Sequence, residues 1–181
     1  MERSDETLIK SIRDGDTDSF AVIVERYKFQ IYNLMYRYSG SVEDASEMTQ
    51  DVFCRVYERL GRYRNRSSFF AWLYTLALNH ARDWVRKKNS SERNNSRFSR
   101  DYSNAEVRTP GAILEKGQRV AGLYSALDML PEDRREMVLL RYRHERSIRE
   151  LAEIFSISES AVKMRLQRAL DELGKILKNN E

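Results

Sequence analysis

Apolar side chains recur every three or four residues along most of the chain, which is the spacing that places them on one face of a helix. In the first half of the chain this pattern predicts a short helical lead around Leu8 and Ile9, followed by three longer helices. Ser39-Gly40 and Gly61 mark the ends of the first two, because glycine is common where helices end. Residues 1–88 are therefore predicted to form one small helical domain.

The pattern breaks after Lys88. Residues 89–111 are rich in Asn, Ser and Arg, contain almost no aliphatic side chains and end in Thr109-Pro110-Gly111. Such a segment cannot bury enough apolar surface to form a core, so it is predicted to be a flexible basic linker. Helical spacing returns in residues 112–181, which are predicted to form a second small domain. The predicted fold is all-α, with two helical domains joined by a flexible linker.

The most informative stretch runs from Ser147 to Leu173 and predicts a helix, a tight turn and a longer second helix. Ser147 and Glu150 fit an S-x-x-E capping box at the start of the first helix, and Ser158 is a candidate cap for the second. Ser156 stands in the turn, where glycine would adopt a positive φ most easily. This arrangement is a helix-turn-helix, whose second helix usually enters the major groove of DNA.

The second helix of this motif carries five polar or flexible side chains on the side that faces away from its apolar stripe. Arginine and lysine there can donate to guanine edges or phosphates. Glutamine can pair with adenine, and methionine can contact a thymine methyl group. The alternative is an ordinary antiparallel helix pair with a solvated basic face. The predicted DNA-contacting set is Ser160, Lys163, Met164, Gln167 and Arg168.

A second candidate site is the loop that precedes the third long helix and ends at Ser68, where arginines alternate with an aromatic and an amide side chain. Single-stranded nucleic acid favours this combination, because phosphates attract cations and unstacked bases stack on aromatic faces. A solvated basic loop is the alternative. The candidate residues are Arg62, Tyr63, Arg64, Asn65, Arg66 and Ser67.

Charge and cysteine content narrow the class of protein. The chain has 181 residues, with 32 Lys and Arg against 28 Asp and Glu, so its net charge is +4. Residues 86–101 hold six basic and two acidic side chains, which also gives +4, so the basic excess is local. A single cysteine excludes an intrachain disulfide and favours a reducing compartment. No apolar run approaches ~18 residues, so we expect a cytoplasmic protein without membrane insertion.

Enzyme chemistry is not expected. Ser160 and Lys163 formally match an S-x-x-K nucleophile motif, but the companion S-D-N and K-T-G motifs are missing from the sequence. His80 has no cluster of Cys, His or acidic residues beside it, so packing or a hydrogen bond is expected rather than metal binding. The sequence therefore predicts no catalytic residues, no metal, no cofactor and no small-molecule substrate.

Taken in order, these features closely resemble the bacterial RNA polymerase sigma factors of the extracytoplasmic-function (ECF) group, which keep only the second and fourth conserved regions of larger sigma factors. The resemblance spans about Asp14 to Lys178. It rests on five blocks, which are GDTDSFAVIVERY, SVEDASEMTQDVFCRVYERL, FFAWLYTLALNHARDWVRKK, ALDMLPEDRREMVLLRYRHERSIRELAEIF and SESAVKMRLQRAL.

The resemblance implies a function and its partners. Residues 1–88 would bind core RNA polymerase and recognise and melt the −10 promoter element, and residues 112–181 would recognise the −35 element. The linker would thread toward the polymerase active centre. The implied partners are the coiled coil of the largest polymerase subunit, the polymerase flap, promoter DNA and an anti-sigma factor. The implied location is cytoplasmic, on the nucleoid when the protein is active.

Residue roles follow from the same resemblance. The loop residues given above, together with Asn79 on the next helix, match the part that opens and reads the −10 element. The second helix of the helix-turn-helix matches the −35 reader. Ser46 and Met48 depart from the acid and leucine that are usual in the family. The helix that would dock on the polymerase coiled coil, by the same resemblance, carries Glu47, Gln50, Asp51 and Arg55.

A stand-alone helix-turn-helix regulator is the alternative function. Its first domain would act as a sensor or a dimerisation domain. A sensor would need a pocket with convergent polar groups, whereas the sequence of residues 1–88 predicts charged outer faces and an arginine-rich loop.

Overall fold

The computed structural model describes residues 3–64, 68–94 and 122–179, with the backbone alone described for residues 91–94 and 179. These residues form two compact units, one within residues 3–94 and the other within residues 122–179. Every regular element in the described ranges is helical, so the predicted all-α class is confirmed. The predicted linker lies outside the described residues apart from its first six positions.

The first unit is built around a long central helix. This helix, α2, packs against the three other α-helices of the unit. The short helical lead predicted around Leu8 is present as the first of them. The elements are α1 (Asp5–Arg13), α2 (Asp18–Ser39), α3 (Val42–Arg59), a 3₁₀ turn (Leu60–Arg62) and α4 (Phe69–Asn94).

Local polar contacts fix where α2 and α3 begin and end. The Ser41 hydroxyl accepts from the backbone N–H of Asp44 at 3.2 Å and caps α3. The Asp16 carboxylate accepts from the backbone N–H and the hydroxyl of Ser19, at 3.3 and 2.6 Å, near the start of α2. These hydrogen bonds from Ser19 hold the pKa of Asp16 below its ordinary value. Gly40 ends α2 in the left-handed conformation, at φ 69°.

The core of the first unit is the apolar face that the helical spacing predicts. α1 is also tied to α2 by polar contacts, since Asp5 accepts from Arg26 and from the Tyr27 hydroxyl. Because each buried aliphatic side chain contributes roughly 1.5–3 kcal/mol, the shared interior is the main source of stability. The most deeply buried large side chains are Leu8, Ile23, Ile31, Leu34, Met35, Leu73, Tyr74 and Leu78.

α4 extends further than the sequence predicted. The expected helix ended at Lys88, but the observed one continues to Asn94. Residues 89–94 contain neither glycine nor proline, and adding a residue to an existing helix costs far less than starting one. The polar composition of this segment therefore did not end the helix, and the first six residues of the predicted linker continue α4.

The second unit is a compact group of short helices followed by one long helix. Pro131 precedes α6 as its N-cap, and Glu132 and Asp133 occupy the first turn, where the helix dipole favours acids. Arg134 of this helix pairs with Glu172 of the last helix at 2.5 Å. The elements are α5, described over residues 122–128, α6 (Glu132–Tyr142), α7 (Ile148–Phe155) and α8 (Glu159–Asn179).

Candidate nucleic-acid interfaces and the outer face of α3

The segment from α7 to α8 has the geometry of a helix-turn-helix. The Ser147 hydroxyl accepts from the N–H of Glu150 at 3.2 Å, and the Glu150 carboxylate accepts from the N–H of Ser147 at 2.9 Å, so the predicted capping box is present. Ser156 makes the turn with φ 55° and ψ 45°. The Ser158 hydroxyl then accepts from the N–H of Ala161 at 3.2 Å and caps α8.

α8 separates its apolar and polar residues onto opposite faces. Val162, Leu166 and Ala169 are buried, and α8 packs against α6 and α7. All five side chains predicted to contact DNA are exposed, with 50% of the surface of Met164 accessible. The structure therefore brings together on one helix Ser160, Lys163, Met164, Gln167 and Arg168.

Gln167 already has a partner within α8. Its Nε2 atom donates to Oδ1 of Asp171 at 2.9 Å, one helical turn away. A bidentate contact with adenine uses both amide atoms of a glutamine, so this hydrogen bond must open or be shared when the helix meets DNA. Sequence reasoning missed Asp171, although the four-residue spacing is one at which helical side chains meet.

The loop after α3 is partly built into the core. Arg62 and Arg64 are exposed, but Tyr63 is only 4% exposed. Its ring centroid lies 5.5 Å from that of Phe69 and 5.2 Å from that of Trp72. The expectation that Tyr63 offers an aromatic face to an unstacked base is therefore corrected, because the ring anchors the loop to α4. Outside the described residues lie Asn65, Arg66 and Ser67.

Arg13 of α1 holds the start of the same loop, and sequence reasoning missed it. Its guanidinium donates to the carbonyl oxygen of Leu60 at 2.9 Å and to the carbonyl oxygen of Tyr63. At the far end of the loop, the Ser68 hydroxyl accepts from the N–H of Ala71 at 3.2 Å. Both ends of the arginine-rich segment are thus fixed to the first unit.

Asn79, the other residue predicted for the −10 element, is exposed in the middle of α4. Arg86 is also exposed and lies on the same face, because seven residues are about two helical turns. Nearby, the Lys88 ammonium lies 4.6 Å from the centroid of the Trp84 ring, a cation–π contact. Arg86 therefore places a cation on the face of Asn79, where the Asp83 carboxylate pairs with it at 2.8 Å.

The outer face of α3 carries the residues predicted to meet the polymerase. Glu47, Gln50 and Asp51 are exposed, and Arg55 is partly exposed. We call these four residues the α3 face. They share one helix and leave its buried stripe to the core, so the structure brings the predicted set together.

An apolar groove between α2 and α3 adjoins the α3 face. It encloses about 880 Å³, and Gln50 lines both the groove and the α3 face. Phe29 and Tyr57, with 68% and 47% of their surface exposed, also line it. Sequence reasoning missed these aromatics, although both stand outside the apolar stripes assigned to the core. Large exposed aromatic side chains beside a polar face are typical of protein interfaces.

His80 lies behind the α3 face, and its acidic neighbour was not predicted from the sequence. Only 8% of the residue is exposed, and its Nε2 atom lies 3.8 Å from Oδ2 of Asp51. Burial lowers the pKa of His80, and the positive charge of Arg55 lowers it further. Asp51 and Asp83 oppose these effects, but the pKa of His80 stays below its ordinary value.

The described residues contain neither a metal-binding cluster nor a membrane-spanning helix. No group of three or more His, Cys, Asp and Glu side chains in the described ranges could hold a metal ion. Over the same ranges, no helix combines the length and the apolar character needed to cross a membrane.

These observations define a class of protein, a two-unit helical protein whose second unit contains a helix-turn-helix. Comparison with known families gives the same division. Residues 23–91 match the family described as Sigma-70 region 2, and residues 121–173 match Sigma-70 region 4.

Full-length relatives identify the family. The chain is 31% identical to the ECF RNA polymerase sigma factor SigW of Bacillus subtilis, over 99% of this chain and 100% of that protein. It is 25% identical to the RNA polymerase sigma-H factor of Pseudomonas aeruginosa, over 97% and 95% of the two chains. The chain belongs to the ECF RNA polymerase sigma factors. It binds core RNA polymerase and directs it to promoters, so the alternative of a stand-alone regulator is not retained.

Solved structures share the fold. The chain superposes with a TM-score of 0.74 on the sigma factor RpoE in its complex with the anti-sigma factor NepR from Bartonella quintana, at 21% identity over 91% and 100% of the two chains. It superposes with a TM-score of 0.69 on CnrH in complex with the cytosolic domain of CnrY, at 22% identity over 96% and 97%.

Proposed function

We propose a division of labour along the chain. Residues 1–88 bind core polymerase and recognise and melt the −10 element, and residues 112–181 recognise the −35 element. Residues 89–111 connect the two and thread toward the polymerase active centre. The observation that carries the proposal is α8, whose five candidate side chains are all exposed opposite a buried stripe in a helix-turn-helix.

The −35 contacts are assigned to α8. The guanidinium of Arg168 and the ammonium of Lys163 reach from the exposed face and suit guanine edges or phosphates. Met164 offers an apolar tip for a thymine methyl, and Gln167 offers an amide for adenine once Asp171 releases or shares it. Ser160, near the start of the helix, suits a phosphate because helix N-termini attract anions.

The −10 contacts are assigned to the loop after α3 and to α4. Arg62 and Arg64 supply exposed cations, and Asn79 supplies an exposed amide. The sequence places Asn65, Arg66 and Ser67 within the same loop. Tyr63 is given a supporting role, since its ring fixes the loop against α4. Because Tyr63 is held in the core, the exposed cations of Arg62 and Arg64 start from a fixed backbone, which favours the capture of unstacked bases.

Polymerase binding is assigned to the α3 face together with the apolar groove. Glu47, Gln50, Asp51 and Arg55 provide charge complementarity for the coiled coil of the largest subunit. Phe29 and Tyr57 provide the apolar contact that a charged face alone lacks. We propose the polymerase flap as the partner of the second unit, on the strength of the family resemblance.

Regulation by an anti-sigma factor is part of the proposal. A solved structure that shares this fold is the sigma factor RpoE in complex with the anti-sigma factor NepR, and this supports the proposal. We further propose that the chain has no catalytic activity of its own and works in the cytoplasm, where it joins the nucleoid when active. Sigma factors in general are not enzymes, and this supports the first of these statements.

Run-off transcription tests the proposal. Purified bacterial core polymerase is assayed with and without the protein on a pool of genomic promoter fragments. We expect discrete transcripts that appear only with the protein, and their start sites define the −10 and −35 motifs. An absence of such transcripts, together with no comigration with core polymerase on gel filtration, would contradict the proposal.

A further inference from the structure

His80 combines burial with an unpaired polar atom. It lies in the middle of α4, and its Nε2 atom has no hydrogen-bond partner among the described residues. Roughly 90% or more of buried polar atoms in folded proteins have such a partner, so each exception needs a physical reason. The facing group is the carboxylate of Asp51 on α3, with 3.8 Å between Nε2 and Oδ2.

The separation between these two atoms is close to that of a hydrogen bond. N–H···O bonds span about 2.7–3.2 Å, so a displacement of about 1 Å would close the contact. The side chain of Asp51 is 55% exposed and therefore hydrated, and rotation of this side chain can supply that displacement. Since a carboxylate only accepts hydrogen bonds, the contact favours the neutral tautomer of His80 with its proton on Nε2.

Docking of a partner changes the surroundings of Asp51. A protein that covers the α3 face removes the water that hydrates this carboxylate. An ionised group taken out of water without hydrogen-bond donors is strongly destabilised. His80 lies directly behind the carboxylate and can donate to one of its oxygens, which leaves the other oxygen for a cation or donor on the partner.

We propose that His80 is a positioning residue for the docking of core polymerase, because its Nε2–H can close on Asp51 when the α3 face is covered. The inference rests on the proposed assignment of the α3 face to the polymerase. It adds a buried residue on α4 that never touches the partner and acts through Asp51. His80 also follows Asn79 in the chain, so one helix carries both this support and a proposed −10 contact.

A double-mutant cycle tests the inference. The dissociation constant for core polymerase is measured for the full chain and for His80→Leu, Asp51→Ala and the double variant. A hydrogen bond to a charged group predicts that each single change weakens binding about tenfold or more. The double variant should bind no more weakly than Asp51→Ala alone. His80→Gln, whose amide can donate from a similar position, should restore binding to within about twofold of the wild type.

The control is His144→Gln, which removes the other of the chain's two histidines and lies in the second unit. Thermal unfolding of each variant separates loss of fold from loss of contact. If His80→Leu weakens polymerase binding by the same factor in the wild-type chain and in the Asp51→Ala variant, His80 does not act through Asp51. Its role would then be merely structural, and the inference would be overturned. If Asp51→Ala weakens polymerase binding but His80→Leu does not, the inference about His80 is overturned, whereas the assignment of the α3 face to the polymerase stands. If Asp51→Ala binds the polymerase as tightly as the wild type, the role given to His80 and the role given to Asp51 in polymerase binding are both wrong.

Discussion

Ser156 shows how a single residue shapes the DNA-binding motif. It adopts φ 55° at the end of α7, a conformation that costs a residue with a Cβ atom about 1–2 kcal/mol relative to glycine. The sequence indicated this turn because the apolar pattern stops at Phe155 and resumes after Ser158. The loss of folding stability caused by this serine can be measured by substitution.

Ser156→Gly is expected to stabilise the second unit by roughly 0.5–1 kcal/mol, because glycine adopts positive φ without steric strain and the gain exceeds its larger entropy when unfolded. Ser156→Ala keeps the Cβ atom and serves as the control, with stability close to that of the wild type. Chemical denaturation of the full chain measures both variants. A glycine variant that unfolds more easily than the alanine variant would contradict the strain argument.

His80 predicts a pH dependence of stability. Because its pKa is lowered in the folded protein, the unfolded chain binds more protons below the ordinary value of 6.5. Stability should therefore be fully present above pH 6.5 and should fall as the pH drops from 6.5 toward the folded pKa. His80→Gln should show a smaller loss over the same range. Urea midpoints at pH 7.5 and pH 5.5 give the comparison, and parallel losses in the two proteins would count against the assignment.

For single residues, the sequence predicted which way a side chain points better than it predicted which residues surround that side chain. Helical periodicity determines which way Lys163 or Gln167 points, and the structure agrees. The burial of Tyr63 depends on Phe69 and Trp72, which the loop sequence alone does not place beside it. The pairing of His80 with Asp51 likewise requires two helices to pack, so neither residue carried the signal by itself.

Among the elements, the loop after α3 is the one whose interpretation changed most. Tyr63 is held between Phe69 and Trp72, and Arg13 donates to the backbone carbonyl of the same residue. The aromatic side chain is therefore part of the framework that presents Arg62 and Arg64. If Tyr63 anchors the loop, its replacement should lower the stability of the first unit. If Tyr63 stacks on a base, its replacement should impair promoter opening without lowering stability.

Tyr63→Ala is expected to destabilise the first unit by roughly 3–5 kcal/mol, because it removes a buried aromatic ring from the core. Tyr63→Phe keeps the ring contacts with Phe69 and Trp72 and should retain most of the stability and the promoter opening. Thermal unfolding and permanganate footprinting of the promoter provide the two readouts. Normal stability of Tyr63→Ala combined with weak promoter opening would return Tyr63 to the role of a base-stacking residue.

Element boundaries were predicted unevenly. Gly40 and the capping box at Ser147 were correct because local hydrogen bonds and backbone conformation determine them. The end of α4 was wrong because its residues after Lys88 are polar but contain no helix-breaking residue. Composition indicates whether a segment can form a core, whereas it does not by itself end a helix that another part of the chain has already started.

The exposed side of α8 is predicted to recognise the −35 element. Lys163→Ala and Arg168→Ala should each weaken recognition of the −35 element by about 1–3 kcal/mol for a base contact. A change in a phosphate contact would instead weaken binding on all sequences equally. Competition assays with matched and scrambled −35 elements distinguish these outcomes. Lys175→Ala, which changes an exposed residue later in the same helix, is the control. If Lys163→Ala and Arg168→Ala both discriminate between matched and scrambled −35 elements as the wild type does, α8 is not the surface that reads the −35 element.

On the scale of the whole molecule, the chain distributes its tasks over two units that each bury their own core. The net charge of +4 is small, so a uniform electrostatic attraction does not explain DNA binding. We therefore assign it to specific surfaces as a proposal, namely the loop after α3, the exposed side of α4 and the exposed side of α8. The order of these surfaces along the chain was predictable from sequence, because each is tied to a local motif.

The groove between α2 and α3 was not predictable in the same way. Phe29 and Tyr57 come from different helices, and only their packing creates an apolar surface beside the α3 face. In the sequence each is a single aromatic residue at the edge of a helical stripe. Surfaces assembled from distant residues thus required the structure, whereas those confined to one helix or loop did not.

The most direct test of the division of labour is transcription from a promoter library with independently randomised −35 and −10 elements, using core polymerase and either wild-type protein or variants. We expect the double variant Lys163→Ala/Arg168→Ala to relax selection at −35 alone. The double variant Asn79→Ala/Arg64→Ala should relax selection at −10 alone. Asp51→Ala should reduce all transcripts without changing either motif. Relaxed selection at −10 by the α8 variant, or at −35 by the α4 and loop variant, would contradict the account.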